Sequence, residues 1–291
     1  MIGSLEINTV VGCVNRCAYC PQDLLTKAYQ RRSEEKRMTF ETFSSCLAKV
    51  PKNISIHFSG MAEPFLNPGC CEMIAHAAGS GYDVEVYTTL VGMPLDAVEM
   101  MEKVRVSKTV VHLPSPAHAN RIVVEGGYLE KLRRLTDSSL SNIIFISIGA
   151  PDPRFERIVR QPIRVDSPID RAGNLDLKDA GKPEGGVRKR GRLKCNSCGD
   201  RLNHNVLMPN GDVLLCCMDY GMQHVLGNLR SSPYESLFRS RAYLRVHTGL
   251  SDGTVDVLCR KCHNSKEIDI RYRIGRQIRR FLGIVPIQGE L

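Results

Sequence analysis

The chain has 291 residues, a formal charge of +9 and 12 cysteines. Its 42% hydrophobic and 24% charged content is that of an ordinary globular protein, which excludes disordered, collagen-like and coiled-coil classes. No apolar run approaches the ~20 residues of a membrane span, and MIGSLEIN lacks the basic-then-apolar pattern of a secretory signal, so a cytoplasmic protein is expected.

Runs rich in β-branched and aromatic residues predict strands at Leu5–Val11, Ile54–Ser59, Val84–Thr89, Thr109–Leu113, Ile143–Ile148 and Ile163–Val165. Helices are predicted between them at Thr39–Val50, Pro68–Gly79, Pro94–Lys103, Tyr128–Leu135 and Phe155–Arg160. One strand and one helix recur about every thirty residues, the period of right-handed βαβ crossovers. Six such units predict a partial (β/α)6 barrel over residues 1–180. The pattern breaks at 178–194, a stretch with four glycines and a basic run that reads as a linker. Beyond it, Asn210-Gly211 between apolar runs predicts a hairpin with both turn residues at positive φ, its second strand delivering Cys216 and Cys217. Ser232–Tyr243 reads as a helix capped by Ser232, and Ile270, Ile274, Ile278 and Phe281 as the apolar stripe of a C-terminal amphipathic helix.

Charge and cysteines are both uneven. Residues 1–180 carry 21 Lys/Arg against 21 Asp/Glu, whereas residues 181–291 carry 19 against 10, so the whole basic excess lies in the second part. A basic part can meet nucleic acid, an acidic substrate or an acidic protein. The cysteines fall into CVNRCAYC at 13–20, CNSC at 195–198, CC at 216–217 and CRKC at 259–262, with Cys46, Cys70 and Cys71 outside these groups. Grouped thiols in a reducing compartment point to metal or redox chemistry rather than to a disulfide framework. Three thiolates on one loop can hold three irons of a cubane and leave the fourth open, as a catalytic site needs.

The Cx3Cx2C spacing of Cys13, Cys17 and Cys20, with Tyr19 before the last cysteine and a strand just before the loop, resembles the radical S-adenosylmethionine superfamily. FSGMAEPFLNP at 58–68 resembles that family's glycine–glutamate–proline segment. Alanine at position 62 stands where the family usually has glycine. The resemblance implies that Glu63 holds the methionyl amino group, with backbone of Gly60, Met61 and Ala62 beside it. It implies further cofactor contacts from Tyr19, Thr88, Thr89, Arg121 and Ser147. The implied mechanism is reductive cleavage of S-adenosylmethionine on the open iron to a 5′-deoxyadenosyl radical, which abstracts a hydrogen atom from substrate. A flavodoxin- or ferredoxin-type protein would donate the electron.

Two CxxC pairs alone would suggest zinc. Following the first motif, the order CxxC, NGDVLLCC, LGNL and CxxC over residues 181–291 resembles the SPASM domain and its shortened Twitch form, which bind auxiliary [4Fe-4S] clusters. The resemblance implies one auxiliary cluster on Cys198, Cys216, Cys259 and Cys262, with Cys195 an alternative to Cys198 and a second, partial cluster left open. Strand alternation turns Cys217 away from Cys216. Some radical epimerases of similar architecture use such a cysteine as hydrogen-atom donor, and Asp219 is a candidate base on the same face.

These readings make the leading expectation an epimerase acting on a sugar, an aminocyclitol or a short peptide. Dehydrogenation with the auxiliary cluster as electron acceptor is the first alternative. Peptide or RNA modification and a non-enzymatic zinc adaptor are the others. The chain has no tryptophan for base stacking and no basic run interleaved with aromatics, which counts against nucleic acid.

Overall fold

The computed structural model describes residues 3–176, 187–199 and 201–268. The proposed C-terminal helix around Ile270–Phe281, and most of the stretch read as a linker, lie outside these residues.

Six parallel strands form the barrel wall: β1 (Ser4–Ile7), β2 (Ser55–Phe58), β3 (Val84–Thr88), β4 (Lys108–Leu113), β5 (Ile143–Ile148) and β6 (Ile163–Asp166). The helices are α1 (Gln22–Gln30), α2 (Phe40–Leu47), α3 (Cys70–Gly79), α4 (Ala97–Val104), α5 (Gly126–Thr136) and α6 (Pro153–Glu156). Phe43 and Leu47 of α2 and Met73 and Ile74 of α3 join Leu5, Ile56 and Val86 in one core. The first strand is shorter than its apolar run, because Asn8 turns its amide onto Val10 O at 2.8 Å. Helix α1 has no counterpart among the predicted elements. Its Leu25 and Tyr29 pack not on the main core but against Val206, Leu214 and Tyr220 from the second part of the chain.

That second part supplies β7 (Leu193–Cys195), β8 (His204–Leu207), β9 (Asp212–Leu214), β10 (Val225–Asn228), α7 (Arg241–Ser251) and β11 (Ser265–Glu267). Strand β8 pairs in parallel with β1, so the sheet runs β10-β9-β8-β1-β2-β3-β4-β5-β6, while β7 and β11 form a separate two-stranded ribbon. The hairpin turn differs from the expectation. Gly211 alone has positive φ, at 85°, and its N–H donates to Met208 O at 2.9 Å, which makes Pro209-Asn210 the centre of an ordinary turn followed by a left-handed glycine. Cys216 and Cys217 also lie past the end of β9 rather than on it. The predicted helix at Ser232–Tyr243 divides in two. A 3-10 segment, Tyr234–Arg239, ends at Ser240, whose hydroxyl accepts the Tyr243 N–H at 3.2 Å and caps α7.

A side chain at position 211 would stand 2.8 Å from Asn228 Oδ1 and 2.7 Å from Arg230 Cγ, on a backbone that favours glycine. Gly211→Ala therefore lowers stability by about 1–3 kcal/mol, read as a fall in the midpoint of thermal unfolding.

Candidate active site and auxiliary cluster site

Two cavities lie on either side of the Cys216–Cys217 pair. The larger, of ≈ 280 Å³, is lined by Cys13, Cys17 and Cys20 from the loop after β1 and by residues 59–64 after β2. Thr88 and Thr89 at the end of β3, and Cys217 from the loop after β9, complete it. The smaller is lined by Cys195, Cys198, Cys216, Cys259 and Cys262, with Ser265 and three leucines. The two adjacent thiols thus face different spaces.

The cysteine loop is held by Gln22 at the start of α1. Its amide nitrogen donates to Cys20 Sγ at 3.1 Å and to Met61 O, and its Oε1 accepts Cys13 N–H at 3.2 Å. One side chain therefore couples the loop to the Gly60–Glu63 segment. Gly60 has φ 103°, and a Cβ there would sit 3.4 Å from Asn8 Oδ1, which accepts the Met61 N–H at 3.0 Å. Glycine at 60 thus lets that segment lie against the first strand's end. Burial pushes the Cys13 thiol up to about 11, so binding metal there must release a proton.

Glu63 is 4% exposed. Its Oε1 accepts from Thr88 Oγ1 at 2.9 Å and Phe65 N at 3.2 Å; its Oε2 accepts from Thr89 N at 2.5 Å and Thr89 Oγ1 at 2.6 Å. Burial raises its pKa, and these donors oppose the rise. Asn15 donates to Thr89 Oγ1 at 2.9 Å, while its Oδ1 is buried without a partner on the same wall. A fixed carboxylate, an orphan acceptor and three thiols fit a cofactor with an amino group bound beside iron. No three His, Cys, Asp or Glu side chains among the described residues converge on one metal ion. A cubane takes one thiolate per iron and does not need such convergence.

The far end of the cavity is polar, and apart from Cys217 the sequence alone did not single out its residues. Glu6 on β1 lines it together with the Cys217 thiol and Ser59, near Arg171. Burial raises the pKa of both Glu6 and Cys217, and for Cys217 the Glu6 charge adds to it. His57, Tyr87 and His112 also line this end. Burial, with Arg171 and Arg164 nearby, lowers His112 to about 4, so it is a neutral imidazole. The open side of the barrel is bridged by Arg171, whose Nε donates to Tyr19 O at 3.4 Å and whose guanidinium lies 5.9 Å from the Tyr220 ring centroid. Tyr220 OH lies 3.2 Å from Cys20 Sγ.

Three expected site residues fall elsewhere. Asp219 is fully buried and accepts the Gln223 and His224 N–H groups, both at 2.8 Å, so it closes the turn before β10 and does not share the face of Cys217. Arg121 is exposed and lines a cleft on the outer side of the cysteine loop. Ser147 is buried on β5 and does not line the cavity. Tyr19, Gly60, Met61, Ala62, Glu63, Thr88 and Thr89 do line it. No sequence signal marked Glu6 or Arg171, because their place depends on β8 joining β1 and on the chain after β6 folding back.

The comparisons agree with this geometry. Residues 195–263 match the family model of SPASM, an iron-sulfur cluster-binding domain. None of the curated proteins matches the chain by sequence. BtrN in complex with AdoMet and 2-DOIA is similar in structure, with a TM-score of 0.58 at 15% identity over 93% of this chain and 95% of that one. Streptococcus suis SuiB bound to the precursor peptide SuiA has a TM-score of 0.57 at 13% identity, covering 89% of this chain and 70% of that one. The native anSMEcpe with bound AdoMet has a TM-score of 0.54 at 13% identity, covering 89% and 86%. The chain therefore shares its fold, a partial parallel barrel followed by a second part, with these structures, and the second part carries the SPASM match.

Glu6 yields a pH signature. Its folded pKa lies above its unfolded one, so its contribution to stability is complete below the unfolded value and is lost as pH rises through the folded value. Glu6→Gln removes that loss. Its thermal midpoint should match the parent below about pH 4 and exceed it increasingly as pH rises above the ordinary carboxylate range; a constant difference would contradict the assignment.

Proposed function

We propose that this protein is a radical S-adenosylmethionine enzyme that inverts a carbon centre of a small polar substrate, with Cys217 as the hydrogen-atom donor. The observation that carries this reading is the presence of Cys217 in the same cavity as Cys13, Cys17, Cys20 and Glu63, while Cys216 faces the second cavity. S-adenosylmethionine on a [4Fe-4S] cluster at Cys13, Cys17 and Cys20 would supply the hydrogen abstraction. Glu63, fixed by Thr88 and Thr89, would hold the cofactor's amino group. Asn15 Oδ1 would accept from it, and Tyr19 would pack beside it. Cys198, Cys216, Cys259 and Cys262 would hold the auxiliary [4Fe-4S] cluster. A flavodoxin- or ferredoxin-type partner would deliver electrons.

At the substrate end Cys217 would return a hydrogen atom. The thiyl radical this leaves would be reduced by one electron passed through the auxiliary cluster and one proton from solvent; Glu6 lines the same cavity. The ring of Glu6, His57, Tyr87, His112 and Arg171 favours a substrate bearing hydroxyl, amine or amide groups over an apolar one. A small molecule such as a sugar or aminocyclitol, or a short peptide, meets that description. Nucleic acid is disfavoured, because much of the basic stretch before β7 is engaged within the protein. Arg188 pairs with Asp256, and Lys189 donates to Cys262 O and to Ser265 Oγ.

Glu6 supports a second reading. A carboxylate at the substrate end can accept the proton lost when an alcohol is oxidised to a ketone, a reaction that needs no hydrogen-atom donor. Cys217→Ala separates the two across a panel of aminocyclitols, hexoses and short peptides in D2O. Epimerisation predicts loss of inverted, singly deuterated product by at least about 100-fold, a general-acid-scale loss. Continued turnover to a keto product would instead establish dehydrogenation.

A further inference from the structure

The auxiliary cavity presents five thiols where a cubane offers four corners. Two of them come from one tight turn. Cys195 ends β7 and pairs with Ser265 of β11, whose hydroxyl donates to Cys259 O at 2.6 Å and Cys262 O at 2.8 Å. The ribbon thus fixes Cys195 against the last cysteine pair. Asn196 N–H donates to Asn264 O at 2.9 Å, which clamps the turn at its next residue. Cys198 follows, its N–H donating to Cys195 Sγ at 3.2 Å and the Gly199 N–H to Cys195 O at 3.1 Å. The two sulfurs share one side of the cavity. Cys216 enters from the loop after β9, and Cys259 and Cys262 from the 3-10 turn Leu258–Arg260 and the residues after it.

We propose that Cys195 and Cys198 are interchangeable ligands for one corner of the auxiliary cluster, the other three corners being held by Cys216, Cys259 and Cys262. The proposal rests on the reading of this cavity as a cluster site. Its consequence is redundancy: loss or oxidation of either thiol leaves a second donor beside the same iron, whereas loss of a thiol at another corner leaves none.

Anaerobic reconstitution of Cys195→Ala, Cys198→Ala, the double variant and Cys216→Ala tests it, with iron content and the electron paramagnetic resonance spectrum of the reduced protein as readouts. Alanine is chosen because a serine oxygen can itself bind iron. The parent and each single variant at 195 or 198 should hold about eight irons with an auxiliary signal that added cyanide leaves unchanged, whereas the double variant and Cys216→Ala, left with an open corner, should lose auxiliary iron or show an auxiliary signal that cyanide shifts. The auxiliary signal should differ between the two single variants, since different sulfurs then complete the cluster. The signal of the first cluster, shared by all variants, reports that each is folded. Lost auxiliary iron or a cyanide-shifted auxiliary signal in Cys198→Ala alone, in Cys195→Ala alone or in both, or neither change in the double variant, would overturn the exchange. A parent holding about four irons, all lost in Cys13→Ala/Cys17→Ala/Cys20→Ala, would instead overturn the auxiliary-cluster reading beneath it.

Discussion

Strand β1 is hydrogen-bonded along both edges, to β2 on one side and to β8 on the other. That second pairing joins two segments some two hundred residues apart in one sheet, and the geometry of the candidate site depends on it. Glu6 stands opposite His57 on β2 and Val206 on β8. The loop that leaves β1 carries Cys13, Cys17 and Cys20, and the loop that leaves β9 brings Cys217 to the same cavity. Polar contacts lock the seam from outside. Arg32 Nε donates to Asp212 Oδ2 at 2.8 Å, Arg230 to Glu35 at 2.8 Å, and Lys49 to the carbonyls of Leu229 and Arg230. The buried Asp212 also accepts from Asn210 and Asn228, each at 3.0 Å, so the hairpin turn and the seam share one carboxylate.

From this seam follows the division of labour between adjacent cysteines. Cys216 and Cys217 lie in a short loop whose direction is set by Asp219, which gathers the N–H groups of residues 223 and 224. The carboxylate read as a candidate base is therefore what holds the pair in place. The carboxylate that lines the cavity beside Cys217, Glu6, comes from the opposite end of the chain. On the proposed function, the two cavities, lined by adjacent residues, would give a short route between the chemistry at the first and a cluster at the second.

Much of this was legible in the sequence because it is local. The six strands follow from apolar runs, and the cysteine spacings and the residues around Glu63 carry a resemblance that the SPASM match and the fold agree with. The start of the helix predicted at Thr39–Val50 was also readable: Thr39 caps α2, its hydroxyl accepting the Thr42 N–H at 3.1 Å. Features set by long-range packing were not. Helix α1 is stabilised by residues from the second part of the chain, the 234–251 segment breaks at a serine that caps a new helix, and the Asn210 turn takes its type from the preceding proline. Glu6 looked like one polar residue in an alternating strand, and Arg171 like one charge in a loop.

The central claim is that the chain builds two iron–sulfur sites, of which only the one at Cys13, Cys17 and Cys20 meets S-adenosylmethionine. Electron paramagnetic resonance of the reduced protein, recorded with and without S-adenosylmethionine, tests it most directly. The account predicts signals from two [4Fe-4S] clusters, one shifted by the cofactor and the other unchanged. Zinc in place of iron, or clusters indifferent to S-adenosylmethionine, would contradict it.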